Sequence, residues 1–274
     1  MSVRIYLLSL REISSPGQTE DFVRQAFLLV DKVRREKAEK IRKPGAQAVS
    51  LGAGLLLQKI VLDYQNRTAG CEKQECEEQV CEKQVCEKQV CEKQDCEKPK
   101  CEVQECEMLQ YEAWELLELL KTGRQNVPER VQNSQRIPLP LQYRFGPHGK
   151  PEIVDFPLYF SLSHSGDYVL CAISDRGVGA DIQKLQTVDF SKLASRFFAE
   201  AEYKALEECD SEAERQKLFF RLWTNKEAYG KMTGQGIMAV LNSDVLYPQW
   251  PEISAPEGYA IAVCTERDEM LKNI

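Results

Sequence analysis

Residues 159–182, YFSLSHSGDYVLCAISDRGVGADI, contain three strand-like runs separated by turn residues. The runs are YFSLS, YVLCAIS and GVGADI, with Gly166-Asp167 and Asp175-Arg176-Gly177 between them. Apolar and aromatic residues bounded by glycine and aspartate are typical of strands joined by tight turns. A further strand-like run, Tyr259–Thr265, comes after a helical region, so this half of the chain combines a sheet with helices.

Helical patterns occupy much of the remaining chain. Val3–Leu10 is typical of a first strand, and each half therefore offers both strands and helices. We predict an α+β fold of two similar lobes with a cleft between them. Apolar residues at helical spacing predict helices over residues 19–43, 46–64, 109–121, 190–208 and 213–233.

Residues 71–106 repeat a five-residue unit that begins Cys-Glu eight times. Five residues advance a helix by about 140°, so the cysteines spiral around it and bury no single face. We interpret the segment as a solvated, partly helical insertion interrupted by Pro99; the alternative is a metal- or redox-sensing thiol array.

The predicted units are 1–68, the first part of the N-terminal lobe; 69–108, the insertion; 109–150, the rest of that lobe and a linker over 127–147; and 151–274, the C-terminal lobe.

Composition limits the classes of function. The net charge of −7 over 274 residues argues against a general nucleic-acid binder, which would carry a basic field. No run approaches the roughly 20 apolar residues of a membrane helix, and Arg4 interrupts the apolar opening, which we read as a strand rather than a signal peptide. We therefore expect a cytoplasmic protein without a membrane partner, whose cysteines are reduced thiols.

Three clusters in the second half carry side chains suited to chemistry. Ser161–Ser165 places a histidine among hydroxyls at a strand end, and Gly177–Ile182 ends an apolar strand with Asp181. In Trp223–Lys231 the residues Trp223, Glu227 and Lys231 are four apart and share one face of a helix. Each cluster alone also fits a structural role, since a Glu-Lys pair at this spacing is usually a weak surface ion pair.

Two carboxylates and a lysine suit a phosphate ligand with a divalent cation. Mg²⁺ takes oxygen ligands and usually keeps waters and substrate phosphates. Asp181 and Glu227 supply two such ligands, and Lys231, one turn beyond Glu227, offsets charge on a phosphate as its bridge breaks.

These clusters resemble the marks of the 4′-phosphopantetheinyl transferases, of the two-lobed kind that activates peptide and polyketide synthases. The family has a GKP turn, an SHS segment, a VGxDIE strand and a WxxKEAxxK helix. The chain has Gly149–Pro151, Ser163–Ser165, VGADIQ from Val178 and the helix Trp223–Lys231, in that order, with FFAEAEYKAL from Phe197 before the last. The resemblance covers nearly the whole chain except the cysteine repeat.

The resemblance implies an activity and a set of site residues. It implies transfer of the phosphopantetheine arm of coenzyme A to a serine of an apo acyl or peptidyl carrier protein, dependent on Mg²⁺, with release of 3′,5′-ADP. Asp181 and Glu227 correspond to the metal ligands, Glu227 also to the base that deprotonates the serine, and Lys231 to a contact of the α-phosphate. The implied contacts to coenzyme A are Lys37, Lys40, Ser50, Lys150, Ser163 and His164.

Two departures from the family pattern stand out, and other functions remain open. Gln183 replaces the glutamate of VGxDIE, and Val49 stands where an arginine precedes Ser50, so metal dependence or coenzyme A affinity is expected to differ. Lys37 and Lys40 also fit a solvated helix face. The alternatives are a non-catalytic coenzyme A- or metal-binding protein on the same fold and a serine hydrolase, which the missing G-x-S-x-G elbow disfavours. An internally duplicated fold favours a monomer.

Overall fold

The computed structural model describes residues 3–75, 108–125, 141–187, 189–245, 250–251 and 253–266. Most of the cysteine repeat and residues 126–140 of the linker region lie outside the described residues, so the predictions made for them are not tested. The described helices are α1 (Pro16–Leu29), α2 (Lys32–Glu39), α3 (Pro44–Glu75), α4 (Ala113–Gln125), α5 (Phe190–Phe197), α6 (Glu200–Glu207), α7 (Glu212–Thr233) and α8 (Ile237–Val240). The described strands are β1 (Arg4–Ser9), β2 (Met108–Glu112), β3 (Tyr143–Phe145), β4 (Pro151–Ile153), β5 (Tyr159–Ser165), β6 (Tyr168–Ser174), β7 (Val178–Lys184) and β8 (Tyr259–Thr265).

The strands form one four-stranded sheet and two pairs. The larger sheet has the order β2-β1-β6-β5, in which β1 and β2 are parallel and the other neighbours are antiparallel. β7 pairs antiparallel with β8, and β3 with β4. This mixture of helices and strands is the α+β class that the sequence predicts.

The larger sheet is covered on both faces. Because side chains alternate along a strand, Tyr6 and Leu8 of β1 pack with α1, α3 and α4 in one buried cluster. Ile5 and Leu7 pack on the opposite face with Val178, Ala180 and Ile182 of β7 and with residues of β8. The β7–β8 pair therefore lies between the larger sheet and α7, whose Ala228 and Tyr229 cover its other face.

The helix predictions are partly wrong at their boundaries, for local reasons. The segment 19–43 is two helices, because Val30 is extended and the carboxylate of Asp31 accepts a hydrogen bond from the N–H of Arg34 at the start of α2. The segment 190–208 divides in the same way at Phe198 and Ala199, where Glu202 hydrogen-bonds the N–H of Ala199.

The helix predicted over residues 109–121 begins later. Residues 108–112 are β2, and register against β1 takes precedence over their helical pattern. The short strands β3 and β4, within and beside the segment read as a linker, were not predicted either. The three strand-like runs of residues 159–182 and the strand Tyr259–Thr265 are confirmed.

The apolar helix predicted over residues 46–64 lies within α3. Among the described residues, one helical span, Pro44–Asn66, is long and apolar enough to cross a membrane by composition, and 67% of its apolar window is buried inside the protein. Ala53, Leu56 and Leu57 are among its residues in the core with α1 and α4. Packing in that core accounts for the composition.

Candidate functional site

Serine hydroxyls of β5 bind the neighbouring strand β7. The three serines alternate along β5 and so share one face. The Oγ of Ser161 accepts a hydrogen bond from the N–H of Ala180 at 3.0 Å, and the Oγ of Ser165 accepts one from the N–H of Lys184 at 2.9 Å. Between them, the Oγ of Ser163 donates to the Oδ1 of Asp181 at 2.6 Å. This arrangement holds the Asp181 carboxylate beside the SHS segment.

A glycine allows α7 to approach the other face of β7. A Cβ added at Gly179 would lie 1.8 Å from the backbone oxygen of Ala228 and 2.6 Å from the nitrogen of Met232. Only a residue without a side chain fits so close a contact. Because Gly179 and Asp181 point to the same face of β7, the approach brings Glu227 and Lys231 of α7 to Asp181.

Lys231 joins the two clusters directly. Its Nζ lies 2.6 Å from the Oδ1 of Asp181 and 2.9 Å from the Oγ of Ser163. The Asp181 side chain is 6% exposed and that of Lys231 is 30% exposed. The Oδ2 of Asp181 is buried and has no hydrogen-bond partner among the described residues. One carboxylate oxygen is thus bound twice, and the other is left to accept a further ligand.

Glu227 faces the same carboxylate. Burial, and next the negative charge of Asp181, raise the pKa of Glu227 above its ordinary value, while Lys231 acts in the opposite sense. Two neighbouring carboxylates, one of which has a buried oxygen without a hydrogen-bond partner among the described residues, fit a divalent cation with oxygen ligands. No group of three or more His, Cys, Asp or Glu side chains suited to a metal occurs in the part of the chain described.

A cavity of about 830 Å³ has His164, which follows Ser163 on β5, among the residues of its wall. Cationic or partly cationic side chains converge on it from two elements, Arg34 and Lys37 from α2 and His164 from β5. Burial lowers the pKa of His164, and the charges of Lys37, Lys231 and Arg34 lower it further. The pKa of Lys37 is also lowered, first by burial and then by Arg34. Mutual repulsion among these groups is relieved when an anion enters.

The cavity contains one more group without a partner. Ser50 lies on its wall, and the Oγ of Ser50 is buried without a hydrogen-bond partner among the described residues. Val49, which stands where the family pattern has an arginine, lines the same cavity. A hydroxyl that lacks a protein partner is suited to an oxygen of a bound ligand.

Arg34 is a site residue that the sequence analysis missed. A Cβ added at Gly54 of α3 would lie 2.7 Å from the Cγ of Arg34, so the stem of the arginine lies against α3 where a side chain is absent. Its backbone is fixed by Asp31, a fully buried residue whose carboxylate also accepts a hydrogen bond from the hydroxyl of Tyr143 at 3.0 Å. The sequence does contain a signal for Arg34, because Arg34 and Lys37 are three residues apart and share one face of α2.

Two of the predicted lysines lie elsewhere. Lys40 is exposed at the end of α2 and is not among the described residues that line the large cavity. The Nζ of Lys150 donates to the backbone oxygens of Val178 and Met232, at 3.1 and 3.2 Å. Lys150 and Lys231 line a smaller cavity of about 260 Å³, which shares Pro151 and Leu162 with the larger one.

A buried ion pair fixes α7 next to Glu227. The Nζ of Lys226 lies 2.7 Å from the Oε2 of Glu202 and donates to the backbone oxygen of Ser243 at 2.6 Å, and both charged side chains are fully buried. The carboxylate of Glu202 also accepts hydrogen bonds from the N–H groups of Ala199 and Val245. The pair thereby ties α6, α7 and the segment after α8 together, and it too was missed.

Comparison with known proteins bears on the family of the chain. Residues 177–264 match the family described as the 4′-phosphopantetheinyl transferase superfamily. The chain is 43% identical over 105 residues to the 4′-phosphopantetheinyl transferase gsp of Aneurinibacillus migulanus, covering 38% of this chain and 42% of that protein. It is 38% identical over 145 residues to the 4′-phosphopantetheinyl transferase Sfp of Bacillus subtilis strain 168, covering 46% and 64%.

A longer match defines the family. A further 4′-phosphopantetheinyl transferase of Bacillus subtilis is 33% identical over 157 residues, which cover 50% of this chain and 68% of that protein. The chain belongs to the 4′-phosphopantetheinyl transferase superfamily. It spans less than half the length of the Aneurinibacillus relative and about two thirds of the two Bacillus relatives.

Proposed function

We propose that this protein transfers the 4′-phosphopantetheine arm of coenzyme A to a serine of an apo acyl or peptidyl carrier protein and releases 3′,5′-ADP. The observation that carries the proposal is the meeting of Asp181, Glu227 and Lys231 beside a cavity lined by cations. Family membership supports the same reaction class.

Coenzyme A is the expected occupant of the large cavity. The cavity is within the range of about 300–1,000 Å³ that is usual for small-molecule sites. We assign the phosphate contacts to Arg34 and Lys37, with His164 opposite them and the free hydroxyl of Ser50 as a further donor. Arg34 supplies a guanidinium in the cavity where Val49 lacks one. We assign Lys40 to the exposed surface outside the cavity, where its charge attracts the ligand. We assign Lys150 to the border of the site, where it supports the contact between β7 and α7.

Mg²⁺ is the expected metal, held by Asp181 and Glu227 with ligand oxygens and water. Bound there, it offsets the charge of the diphosphate. Gln183 lies two residues beyond Asp181 on the same face of β7, and its neutral amide is a weaker ligand than the glutamate of the family pattern. We therefore expect a requirement for more metal than a chain with a glutamate at this position.

The chain's own side chains account for the remaining steps. The serine oxygen of the carrier attacks the β-phosphorus, the new P–O bond forms, and the bridging P–O bond breaks to release 3′,5′-ADP. Glu227 accepts the proton of the serine, a role that a carboxylate of raised pKa performs well near neutral pH. Lys231 moves its ammonium group to the α-phosphate and stabilises the negative charge of the leaving group. Positioning and electrostatics supply most of the rate, as in other phosphoryl transfers.

We further propose that the fold consists of two similar lobes with the ligand in a cleft between them, divided at residues 68, 108 and 150. In support, described helices lie between two paired strands in each half: α1–α3 between β1 and β2, which are parallel, and α5–α8 between β7 and β8, which are antiparallel. The cavity takes Lys37 from one half and His164 from the other, so one chain supplies both walls and a monomer suffices. The proposed location is the cytoplasm, where coenzyme A and carrier proteins meet.

Mass spectrometry of a carrier protein tests the proposal. Apo acyl and peptidyl carrier proteins are incubated separately with the full chain, coenzyme A and Mg²⁺. We expect one phosphopantetheine group on a serine, and no modification by the Asp181→Ala or Glu227→Ala variants. The matched control Glu208→Gln, on an exposed carboxylate directly after α6, is expected to retain activity. Binding of coenzyme A without transfer to any carrier would instead favour a binding protein.

A further inference from the structure

The carboxylate of Asp181 already holds a cation of the protein itself. Its Oδ1 receives the ammonium of Lys231 and the hydroxyl of Ser163, each at 2.6 Å. Its Oδ2 is buried without a hydrogen-bond partner in the described part of the chain. Lys231 is therefore paired with the carboxylate that the proposed function assigns to Mg²⁺.

Charge counting indicates that this arrangement opposes the binding of a metal to Asp181 when no phosphate ligand is bound. Asp181 and Glu227 carry up to two negative charges, and Lys231 carries one positive charge between them. A divalent cation that joins Asp181 while Lys231 stays in contact places three positive charges against two carboxylates. At 3–4 Å, repulsion between the metal and the ammonium is strong in a partly buried site. A phosphate ligand removes the conflict, because it gives the ammonium another anion to bind.

The side chain of Lys231 is placed so that its ammonium group can move from Asp181 to a bound phosphate. It is 30% exposed, whereas that of Asp181 is 6% exposed, so the lysine end can leave while the carboxylate stays. Lys231 also lines the smaller cavity, which adjoins the cavity of Arg34, Lys37 and His164. Its positive charge already acts on His164 of the larger cavity. A short rotation of the flexible stem carries the ammonium toward a bound phosphate.

We propose that Lys231 and the divalent cation compete for Asp181, so that the cation binds tightly only when a phosphate ligand has drawn Lys231 away. Ser163 is the positioning residue of this exchange, because its hydroxyl keeps Asp181 in place after Lys231 leaves. The inference rests on the proposed function, since coenzyme A is the phosphate ligand. It predicts that coenzyme A and the metal each increase the affinity of the protein for the other, and that this coupling depends on Lys231.

Metal binding without coenzyme A tests the competition. Mn²⁺, which shares the oxygen ligands of Mg²⁺, is titrated into the full chain and free Mn²⁺ is measured by electron paramagnetic resonance. We expect Lys231→Met to bind Mn²⁺ about tenfold more tightly than wild type, a coupling of ordinary size. Lys231→Arg, which keeps the charge and its reach to Asp181, should bind like wild type.

Two further variants separate competition from a general change of charge and from misfolding. Lys37→Met removes a cation of the larger cavity that has no hydrogen bond to Asp181, and screening should limit its effect to about twofold. Lys231→Gln provides a second neutral side chain, and thermal unfolding confirms that each variant is folded. An unchanged Mn²⁺ affinity in both neutral Lys231 variants, or an equal gain in Lys37→Met, overturns the inference.

The second arm measures the coupling itself. Mn²⁺ affinity is compared with and without saturating coenzyme A, after correction for the complex of Mn²⁺ with free coenzyme A. Coenzyme A should increase the Mn²⁺ affinity of the wild-type protein by a factor about ten times larger than that of Lys231→Met. Equal gains in the two proteins contradict the inference while leaving the proposed function intact. Failure of wild type to bind coenzyme A at all contradicts the proposed function instead.

Discussion

The site combines two regions that are built in opposite ways. The carboxylate region, where β7 meets α7, consists of short or buried side chains fixed by the hydroxyl of Ser163 and by the close approach at Gly179. The cavity region at α2 and α3 consists of the longer side chains of Arg34 and Lys37, which share one sign of charge. The first region requires particular atoms at particular places, whereas the second requires only enough positive charge around a space.

This difference accounts for one of the two departures from the family pattern, Val49, but not for Gln183, which lies in the carboxylate region. Val49 replaces an arginine in the cavity region, and Arg34 of α2 still presents a guanidinium to the same space. A cation can be relocated there because attraction to a phosphate falls off slowly with distance. In the carboxylate region a shift of one ångström removes a ligand of the metal. We therefore expect substitutions to be far more damaging in the carboxylate region.

The largest effect is expected at Asp181. Asp181→Asn keeps the size of the side chain but removes the charge that the metal and Lys231 need. We expect kcat/KM for transfer to fall by roughly a thousandfold, because a bound metal ion contributes several kcal/mol and each 1.4 kcal/mol is a factor of ten. Initial rates with a carrier protein at saturating Mg²⁺ measure it. A loss of less than tenfold would place the metal elsewhere.

The next largest effect concerns the support of α7. Lys226→Met leaves the carboxylate of Glu202 buried without its charged partner, which typically costs about 3–5 kcal/mol of folding free energy. Urea unfolding of the two proteins measures the difference. The control Lys204→Met removes an exposed lysine paired with Glu208, and we expect a change within about 1 kcal/mol. Similar losses in both variants would show that the buried pair has no special role.

A smaller effect is expected where β7 meets α7. Gly179→Ala directs a methyl group at the backbone of Ala228, which cannot move without shifting the helix, and overpacking of this kind costs about 1–3 kcal/mol. Transfer activity should fall as well, because Glu227 and Lys231 move with α7. Gly17→Ala is the matched control, since its new Cβ meets nothing within 4 Å. A Gly179→Ala protein as stable and active as wild type would contradict the close approach.

The smallest effects are expected in the cavity region. Arg34→Met should raise KM for coenzyme A about tenfold with little change in kcat, since one charged hydrogen bond contributes about 1.5–3 kcal/mol, part of which Lys37 replaces. Lys40→Met, at an exposed position outside the described cavity wall, is the control and should change KM by about twofold at most. Steady-state kinetics with varied coenzyme A measure both. Equal changes in the two variants would remove the distinction between Arg34 and the solvated lysine.

Proton uptake on binding of coenzyme A provides a further test of the cavity region. Burial and neighbouring cations lower the pKa of His164, so the free protein holds it neutral near pH 7. A bound phosphate raises that pKa, and coenzyme A binding therefore takes up a proton and strengthens as the pH falls from 8 toward 6. Calorimetry in buffers of different ionisation enthalpy measures the uptake. His164→Gln should show less uptake, and identical values would contradict the contact between His164 and phosphate.

Features set by residues close together in the chain could be predicted from the sequence, whereas contacts between distant segments could not. Asp181, Glu227 and Lys231 could be selected as candidate site residues because their motifs are local and the order of the motifs resembles that of a known family. The strands of residues 159–182 were equally readable from turn residues and apolar runs. The structure then added the direct contact between Lys231 and Asp181, which no spacing along the chain reveals.

The features that were missed depend on contacts between distant segments. The strand β2 has a helical pattern and becomes a strand only because it pairs with β1, about a hundred residues earlier. The pair Lys226–Glu202 joins two helices, and nothing in either motif shows that both charges are buried. Arg34 could have been found from its spacing to Lys37, whereas the space that Gly54 leaves for it could not.

The most direct test of the account is the position of the metal in a complex with coenzyme A. Crystals of the full chain grown with coenzyme A and Mn²⁺ would give anomalous scattering from the metal alone. We expect a single strong peak within bonding distance of the Asp181 and Glu227 carboxylates and of diphosphate oxygens, with the ammonium of Lys231 moved from Asp181 to phosphate. A peak remote from those two carboxylates, with Lys231 still bound to Asp181, would contradict the account.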